Sequence, residues 1–155
     1  MQNKTRTYII SILIPLAVGA LAALITRGSM EDYGMLEQPP LSPPGFLFPI
    51  VWTILYTLMG ISAAIIKLSG NPLSKDALQT YYLQLFVNFL WPILFFNANA
   101  FLLSLVWLLL LVYLVIRMIL QFKRISPLAA YLQIPYLAWL VFATYLNAGV
   151  WLLNR

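Results

Sequence analysis

The sequence contains neither cysteine nor histidine. Their absence excludes a disulfide framework, a thiolate nucleophile, a zinc site built from these residues and an imidazole general base. It also removes the commonest axial ligands of haem iron, so any bound tetrapyrrole is expected to be metal-free or held through its ring faces. We therefore expect no metal site and no cofactor.

Charged residues are scarce as well. Of the 155 residues, 8% are charged and 63% are hydrophobic, whereas a soluble domain is usually about one quarter charged. The chain is therefore predicted to be an integral membrane protein without a separate soluble domain. Its formal net charge is +5, but the basic residues flank apolar segments and form no cluster, so we expect no nucleic-acid partner.

Five apolar segments approach the roughly 20 residues that a helix needs to cross a bilayer. They cover approximately residues 8–26, 46–66, 78–96, 101–119 and 128–153. The connections after the first are short, so consecutive helices are expected to run antiparallel. The predicted fold class is all-α: one domain over residues 1–155, an integral membrane bundle of five transmembrane helices with a long first loop at 27–45.

The distribution of basic residues predicts the orientation of the bundle. One side would hold Lys4, Arg6, Lys67, Lys75, Arg117, Lys123 and Arg124, and the other side only Arg27 and Arg155. Because basic loops stay in the cytoplasm, the N-terminus is expected there and the first loop outside.

The stretch from Pro39 to Tyr56 changes character halfway along. Its first half is rich in proline and cannot be helical, and its second half is apolar and carries Trp52 and Tyr56 on one helix face. A stiff loop that leads into an aromatic-faced helix can form the wall and the roof of a cavity. The alternative is that the prolines only keep the loop compact and Trp52 anchors the helix at the membrane interface.

Three predicted helices carry stripes of polar or aromatic residues. The stripes are Trp52, Tyr56 and Met59; Gln84, Asn88, Trp91 and Phe95; and Pro135, Trp139, Ala143 and Asn147. No charge lies in mid-span, so a proton pump or an ion channel is not expected. Converging stripes would form an apolar pocket with a few oriented polar groups, suited to a flat hydrophobic ligand. The alternative is that the amides only bond to neighbouring helices.

Three motifs in order along the chain carry a family resemblance. They are the proline stretch 39–44 leading to 51–56, the segment 88–96 and the segment 135–147. Together they resemble the TspO/MBR family, which comprises tryptophan-rich sensory proteins and translocator proteins (the peripheral benzodiazepine receptor). The resemblance covers essentially the whole chain.

The resemblance implies a five-helix bundle, usually a homodimer, with a ligand cavity that the first loop closes as a lid. It implies porphyrins such as protoporphyrin IX, isoquinoline carboxamides and benzodiazepines as ligands, and cholesterol in animal members. The candidate ligand-binding residues are then Tyr33, Pro43, Pro44, Phe48, Trp52, Tyr56, Gln84, Asn88, Trp91, Phe95, Trp139, Ala143 and Asn147.

One departure from the animal pattern concerns cholesterol. The proposed cholesterol motif places Lys or Arg within five residues of a tyrosine, but the first basic residue after Tyr145 is Arg155, ten positions further on. This argues against cholesterol and favours a bacterial-type member in a bacterial cell membrane.

Three functional hypotheses follow. The first is a membrane receptor that binds porphyrin and transports or senses it. The second is light- and oxygen-dependent degradation of the bound porphyrin, in which Trp52 and Trp139 are the candidate catalytic residues because no conventional catalytic machinery is present. The third is a membrane scaffold whose pocket is filled with lipid.

Overall fold

The computed structural model describes residues 3–155, so the first two residues of the predicted domain lie outside it. Every regular element in this range is helical, which confirms the all-α prediction. The helices are α1 (Lys4–Thr26), α2 (Met30–Gly34), α3 (Leu47–Leu68), α4 (Ser74–Pro92), α5 (Phe101–Lys123), α6 (Pro127–Leu132) and α7 (Ile134–Leu153). A 3₁₀ turn at Arg27–Ser29 links α1 to α2, and a π-helical turn at Ile93–Asn97 follows α4.

Four helical segments are long and apolar enough to cross a membrane, so the chain is an integral membrane protein. They are Lys4–Gly34, Leu47–Leu68, Phe101–Lys123 and Pro127–Leu153. Helix α4, the predicted third span, falls short of this hydropathy because it begins with charged residues and carries buried amides. It packs against α1, α3 and α5 inside the bundle. Its crossing of the membrane stays a prediction.

The predicted last span, 128–153, is two helices instead of one. Ser126 begins α6, because its hydroxyl accepts a hydrogen bond from the Ala129 amide at 3.3 Å and Pro127 occupies the first turn. The helix is interrupted at Gln133, and α7 starts at Ile134. Pro135 has no N–H with which to continue the helical hydrogen bonding, which accounts for the break there.

Helices α1 and α3 form the closest helix pair. Gly60 of α3 lies directly against the α1 backbone, where an added Cβ would be 2.6 Å from the Ser11 carbonyl oxygen. This close approach depends on glycine, because a Cβ at this position would meet the α1 backbone. About two turns further along α3, Lys67 Nζ donates to the Ser11 hydroxyl at 3.1 Å.

Several of the largest buried side chains lie in the half of the bundle away from the first loop. Met59 of α3, Tyr81 of α4, and Met118 and Phe122 of α5 are fully buried there. This packed half supports the opposite half, where α3, α4 and α7 carry the predicted stripes beneath the first loop. The hydrophobic core is continuous between the two halves, because Tyr56 and Tyr136 belong to the same cluster as Tyr81 and Phe122.

Candidate ligand-binding site between α3, α4 and α7

A chain of neutral hydrogen bonds joins three helices at the base of the site. The Tyr56 hydroxyl of α3 donates to Asn88 Oδ1 of α4 at 2.7 Å. Asn88 Nδ2 donates to the Tyr136 hydroxyl of α7 at 2.8 Å, and that hydroxyl donates in turn to Gln84 Oε1 at 2.7 Å. All four side chains are buried. Because no water competes for these groups inside the bilayer, this series of hydrogen bonds fixes the register of the three helices.

On the side of these hydrogen bonds nearer the first loop, α3 and α7 face each other through two aromatic pairs. Trp52 meets Tyr136 with 6.2 Å between ring centroids, and Phe48 meets Trp139 at 6.0 Å. Each pair is edge to face, and the order reverses along the two antiparallel helices. The two tryptophans therefore lie diagonally across one aromatic quartet, Phe48, Trp52, Tyr136 and Trp139. Trp52 also stacks on Tyr56 at 5.3 Å.

A second aromatic group lies between α4 and the lid. Trp91 stacks on Phe95 at 5.1 Å between centroids. Its indole N–H donates to Asn147 Oδ1 at 3.0 Å, and Asn147 Nδ2 donates to the Phe101 carbonyl at 2.9 Å. The Asn147 amide therefore binds α4 on one side and the start of α5 on the other. Pro92 ends the α-helical pattern next to Trp91, and the π-helical turn that follows carries Phe95.

The first loop contacts this second group at one of its ends. The Tyr33 ring lies 5.7 Å from Phe95 and 5.1 Å from Phe96. The Tyr33 carbonyl accepts a hydrogen bond from Gln38 Nε2 at 3.1 Å. Tyr33 thus packs the loop against the π-helical turn that follows α4.

The other end of the loop is fastened to α7. Pro39 is buried against Gly149, where an added Cβ would lie 2.6 Å from Pro39 Cβ. The Tyr145 hydroxyl donates to the Pro40 carbonyl at 2.6 Å. The Asn154 side chain forms two hydrogen bonds with the backbone of Glu37. The Glu37 amide donates to Asn154 Oδ1 at 3.1 Å, and the Glu37 carbonyl accepts from Asn154 Nδ2 at 2.8 Å. These three contacts form a latch between the loop and the end of α7.

Most of the predicted site residues fall into these groups. The structure brings together Tyr33, Phe48, Trp52, Tyr56, Gln84, Asn88, Trp91, Phe95, Trp139 and Asn147. Ala143 is buried one turn after Trp139 and presents only a methyl group. In the proline stretch, Pro43 is half-buried and Pro44 is exposed at the start of α3, where its carbonyl accepts from the Leu47 amide.

Several residues that build the site were not among those predicted. Tyr136 is the centre of the hydrogen-bond chain, and its position three residues before Trp139 was an available signal. Phe96, Tyr145 and Asn154 hold the lid. Nothing in their local sequence distinguishes them from ordinary boundary residues of a membrane helix, because their partners lie far away along the chain.

The arrangement has a restricted chemistry. Its polar groups are hydroxyls, amides and indoles, and its walls are aromatic. Within residues 3–155, no group of three or more carboxylates is placed to hold a metal ion. Such a site favours a flat, apolar ligand that stacks on rings and forms a few neutral hydrogen bonds.

Comparison with known proteins agrees with the resemblance in the motifs. The sequence model of the TspO/MBR family matches residues 11–152. The chain is 39% identical over 145 residues to the tryptophan-rich protein TspO of Archaeoglobus fulgidus, covering 93% of this chain and 94% of that protein. It is 35% identical over 159 residues to the protein of the same name in Chlorobaculum tepidum, with 99% of both covered.

A mammalian relative matches at a similar level. The translocator protein of Bos taurus is 37% identical over 147 residues, which cover 92% of this chain and 87% of that protein. The family match and the relatives from three domains of life cover the α3, α4 and α7 motifs together with the lid. The chain therefore belongs to the TspO/MBR family.

Proposed function

We propose that this protein is a membrane receptor for flat, hydrophobic aromatic ligands, with a role in tetrapyrrole transport or sensing. Porphyrins such as protoporphyrin IX are the leading ligand class, and isoquinoline- or benzodiazepine-type compounds are the second. The observation that carries the proposal is the aromatic quartet between α3 and α7, which stands over an uncharged chain of hydrogen bonds. The names of the relatives, TspO and translocator protein, support a role in sensing or transport.

Ligand entry needs only side-chain movement at the quartet. The backbones of α3 and α7 do not pack closely along the described chain, and the aromatic rings occupy the space between them. An aromatic pair contributes about 0.5–1.5 kcal/mol beyond burial. Separating two such pairs therefore costs about 1–3 kcal/mol, which stacking on a larger ring system offsets. Trp52 and Trp139 are each only partly buried, so part of each indole is accessible.

The lid completes the proposed site. Tyr33 rests on the aromatic group of α4, while the latch holds the far end of the loop to α7. The contacts at both ends are few and lie at the edge of the bundle, so the lid can open without unfolding the helices. Backbone amides of the loop and the exposed Arg27 at its base are available to the propionates of a porphyrin.

The proposal is tested by titrating the purified protein with protoporphyrin IX and following quenching of tryptophan fluorescence. We expect saturable binding in the unaltered protein and clearly weaker binding in a Trp52→Phe, Trp139→Phe double variant. Trp151→Phe is the matched control, because Trp151 lies near the end of α7 beneath Arg155, 5.5 Å from its guanidinium. Equal affinity in the double variant and the control would refute the assigned site.

A second candidate function is photo-oxidative degradation of the bound porphyrin. It is favoured by the stack of Trp52 on Tyr56, whose hydroxyl is hydrogen-bonded to Asn88, because stacked oxidisable rings can assist electron transfer. Light, oxygen and the porphyrin would supply the chemistry, with the indole of Trp52 and that of Trp139 assisting. Illumination of the complex should give a new absorbing product that is lost in the Trp52→Phe variant. Bleaching at the same rate without protein would exclude this activity.

The assembly and the placement of the protein are part of the proposal. We propose a homodimer in a bacterial cell membrane, with the N-terminus in the cytoplasm, the lid outside and membrane lipid as its surroundings. Light scattering of the detergent-solubilised protein measures whether it is a dimer. Labelling of single cysteines introduced at the N-terminus and in the first loop measures on which side of the membrane each lies. If neither ligand class raises the thermal stability, the protein is instead a scaffold with a lipid-filled pocket, because a ligand must stabilise the state that it binds.

A further inference from the structure

A groove between α4 and α5 lies apart from the ligand site. It has a volume of about 420 Å³ and lies towards the ends of the helices that are remote from the lid. Helix α4 contributes Asp76, Gln79, Thr80 and Leu83, and α5 contributes Tyr113, Leu114, Arg117 and Gln121. Along α5 it continues into a second hollow of about 400 Å³ that adds Ile116, Leu120 and Arg124.

The groove combines opposite charges on opposite walls. Asp76 stands on the α4 side, and Arg117 and Arg124 stand on the α5 side. Arg117 Nη1 donates to the Tyr113 hydroxyl at 3.4 Å, a long and weak contact, and not to Asp76. The two charges therefore line the same hollow without neutralising each other.

Gln121 lines the α5 wall of the groove and carries an unused hydrogen-bond acceptor. The Oε1 atom of Gln121 is buried and has no hydrogen-bond partner within residues 3–155. A buried polar atom without a partner is costly and normally finds one in a ligand or in water. Because the Gln121 oxygen is closed off from the groove, the exposed Asp76 is the acceptor open to a ligand, whereas the two arginines offer donors suited to a phosphate.

Beside the polar Gln79 and Thr80, the lining also contains leucine and isoleucine side chains that are exposed on the bundle surface. Leu83 is 51% exposed, Ile116 42% and Leu120 60%. In a protein that spans a membrane, exposed leucine and isoleucine side chains next to charged residues mark the boundary between acyl chains and headgroups. The groove therefore offers apolar contacts to an acyl chain, arginines to a phosphate, and a carboxylate to a headgroup that donates hydrogen bonds.

We propose that this groove binds a phosphatidylethanolamine molecule of the surrounding membrane. Its phosphate lies on Arg117 and Arg124, its ammonium group donates to Asp76, and an acyl chain follows Ile116 and Leu120. The opposed charges favour this zwitterionic headgroup over an anionic one, which Asp76 repels. They also favour it over choline, whose quaternary nitrogen has no hydrogen to donate. Basic pockets between membrane helices are known sites for lipid headgroups.

The test uses the full-length protein in detergent with added dioleoyl lipids, and it measures the lipid-induced shift of the unfolding temperature together with retained lipid by native mass spectrometry. We expect phosphatidylethanolamine to bind more tightly than phosphatidylcholine or phosphatidylglycerol. Each of the variants Arg117→Gln and Asp76→Asn should weaken its binding about fivefold, the effect of one charged contact near the headgroup region. Asp76→Asn should at the same time strengthen the binding of phosphatidylglycerol.

Two controls separate a built site from general charge attraction. Lys123→Gln removes the same charge at the same end of α5 but does not alter the lining of the groove. Asp32→Asn makes the same change as Asp76→Asn but lies in the lid region. Both should bind phosphatidylethanolamine as the unaltered protein does. The proposal is overturned if phosphatidylglycerol binds best, if all three lipids bind equally, or if the controls lose as much affinity as the groove variants. A stabilising effect of inorganic phosphate equal to that of the lipid would also overturn it.

Discussion

The hydrogen bond between Tyr56 and Asn88 gives a quantitative test of how the base of the ligand site is held. Tyr56→Phe removes one donor, the hydroxyl that lies 2.7 Å from Asn88 Oδ1. Asn88→Ala removes that acceptor and also the bond to the Tyr136 hydroxyl at 2.8 Å. The Tyr136 hydroxyl keeps its bond to Gln84, so the damage is confined to two contacts.

The expected energies follow from burial and from the number of bonds lost. Asn88 is only 3% exposed, and Tyr56 is 7% exposed. A hydrogen bond between membrane helices contributes about 0.6 kcal/mol on average and up to about 1.7 kcal/mol. We expect Tyr56→Phe to lie in that range. Asn88→Ala should cost about 1–3 kcal/mol, because it breaks two bonds and leaves the Tyr56 hydroxyl buried without an acceptor.

The assay is reversible unfolding in mixed micelles, followed by far-ultraviolet circular dichroism for both single variants and the double variant. A double-mutant cycle isolates the bond itself, and its coupling energy should be about 0.6–1.7 kcal/mol. Tyr131→Phe is the control, because that tyrosine is 64% exposed and its change should be close to zero. A coupling energy of zero, or a Tyr56→Phe effect no larger than that of Tyr131→Phe, would refute the hydrogen-bond chain.

Two further predictions concern glycines at close contacts. Gly149→Ala places a methyl group against Pro39 and should loosen the lid. We therefore expect faster ligand dissociation with little change in the unfolding free energy. An unchanged dissociation rate would contradict the latch. Gly60→Ala forces apart α1 and α3 and should cost about 1–3 kcal/mol of unfolding free energy, as overpacking of a core does. Gly45→Ala, where an added Cβ has open space, is the control for both changes, and an equal loss there would contradict the packing argument.

Much of the architecture could be predicted because the bilayer restricts what a sequence can do. Long apolar runs must become helices, since a helix is the simplest way to satisfy every backbone group without water. The inward stripes of α3 and α4 followed from helical spacing alone, and Tyr56, Met59, Gln84 and Asn88 are buried as that spacing implies. Helix ends were less predictable: α5 continues to Lys123, because nothing interrupts the helix before the Ser126–Pro127 cap.

The contacts that hold the predicted lid could not be predicted from local sequence patterns. The sequence indicated a stiff proline segment above the site, and the family resemblance implied Pro43 and Pro44 as its ligand-binding members. The structure buries Pro39 against Gly149, leaves Pro44 exposed, and uses Tyr145 and Asn154 of α7 to hold the loop. These contacts join residues more than 100 positions apart, so no local pattern could reveal them.

The sequence by itself determined that the chain is helical, lies in a membrane, lacks cysteine and histidine, and presents aromatic residues on particular helix faces. Only the tertiary structure decided which faces meet. It paired Trp52 with Tyr136 and Phe48 with Trp139, placing the two tryptophans diagonally across one quartet, and it made Tyr136 the centre of the polar chain. The physical reason is that helical periodicity fixes the direction of a side chain around its own axis, whereas the register between two helices is set by the packing and hydrogen bonding of all their neighbours together.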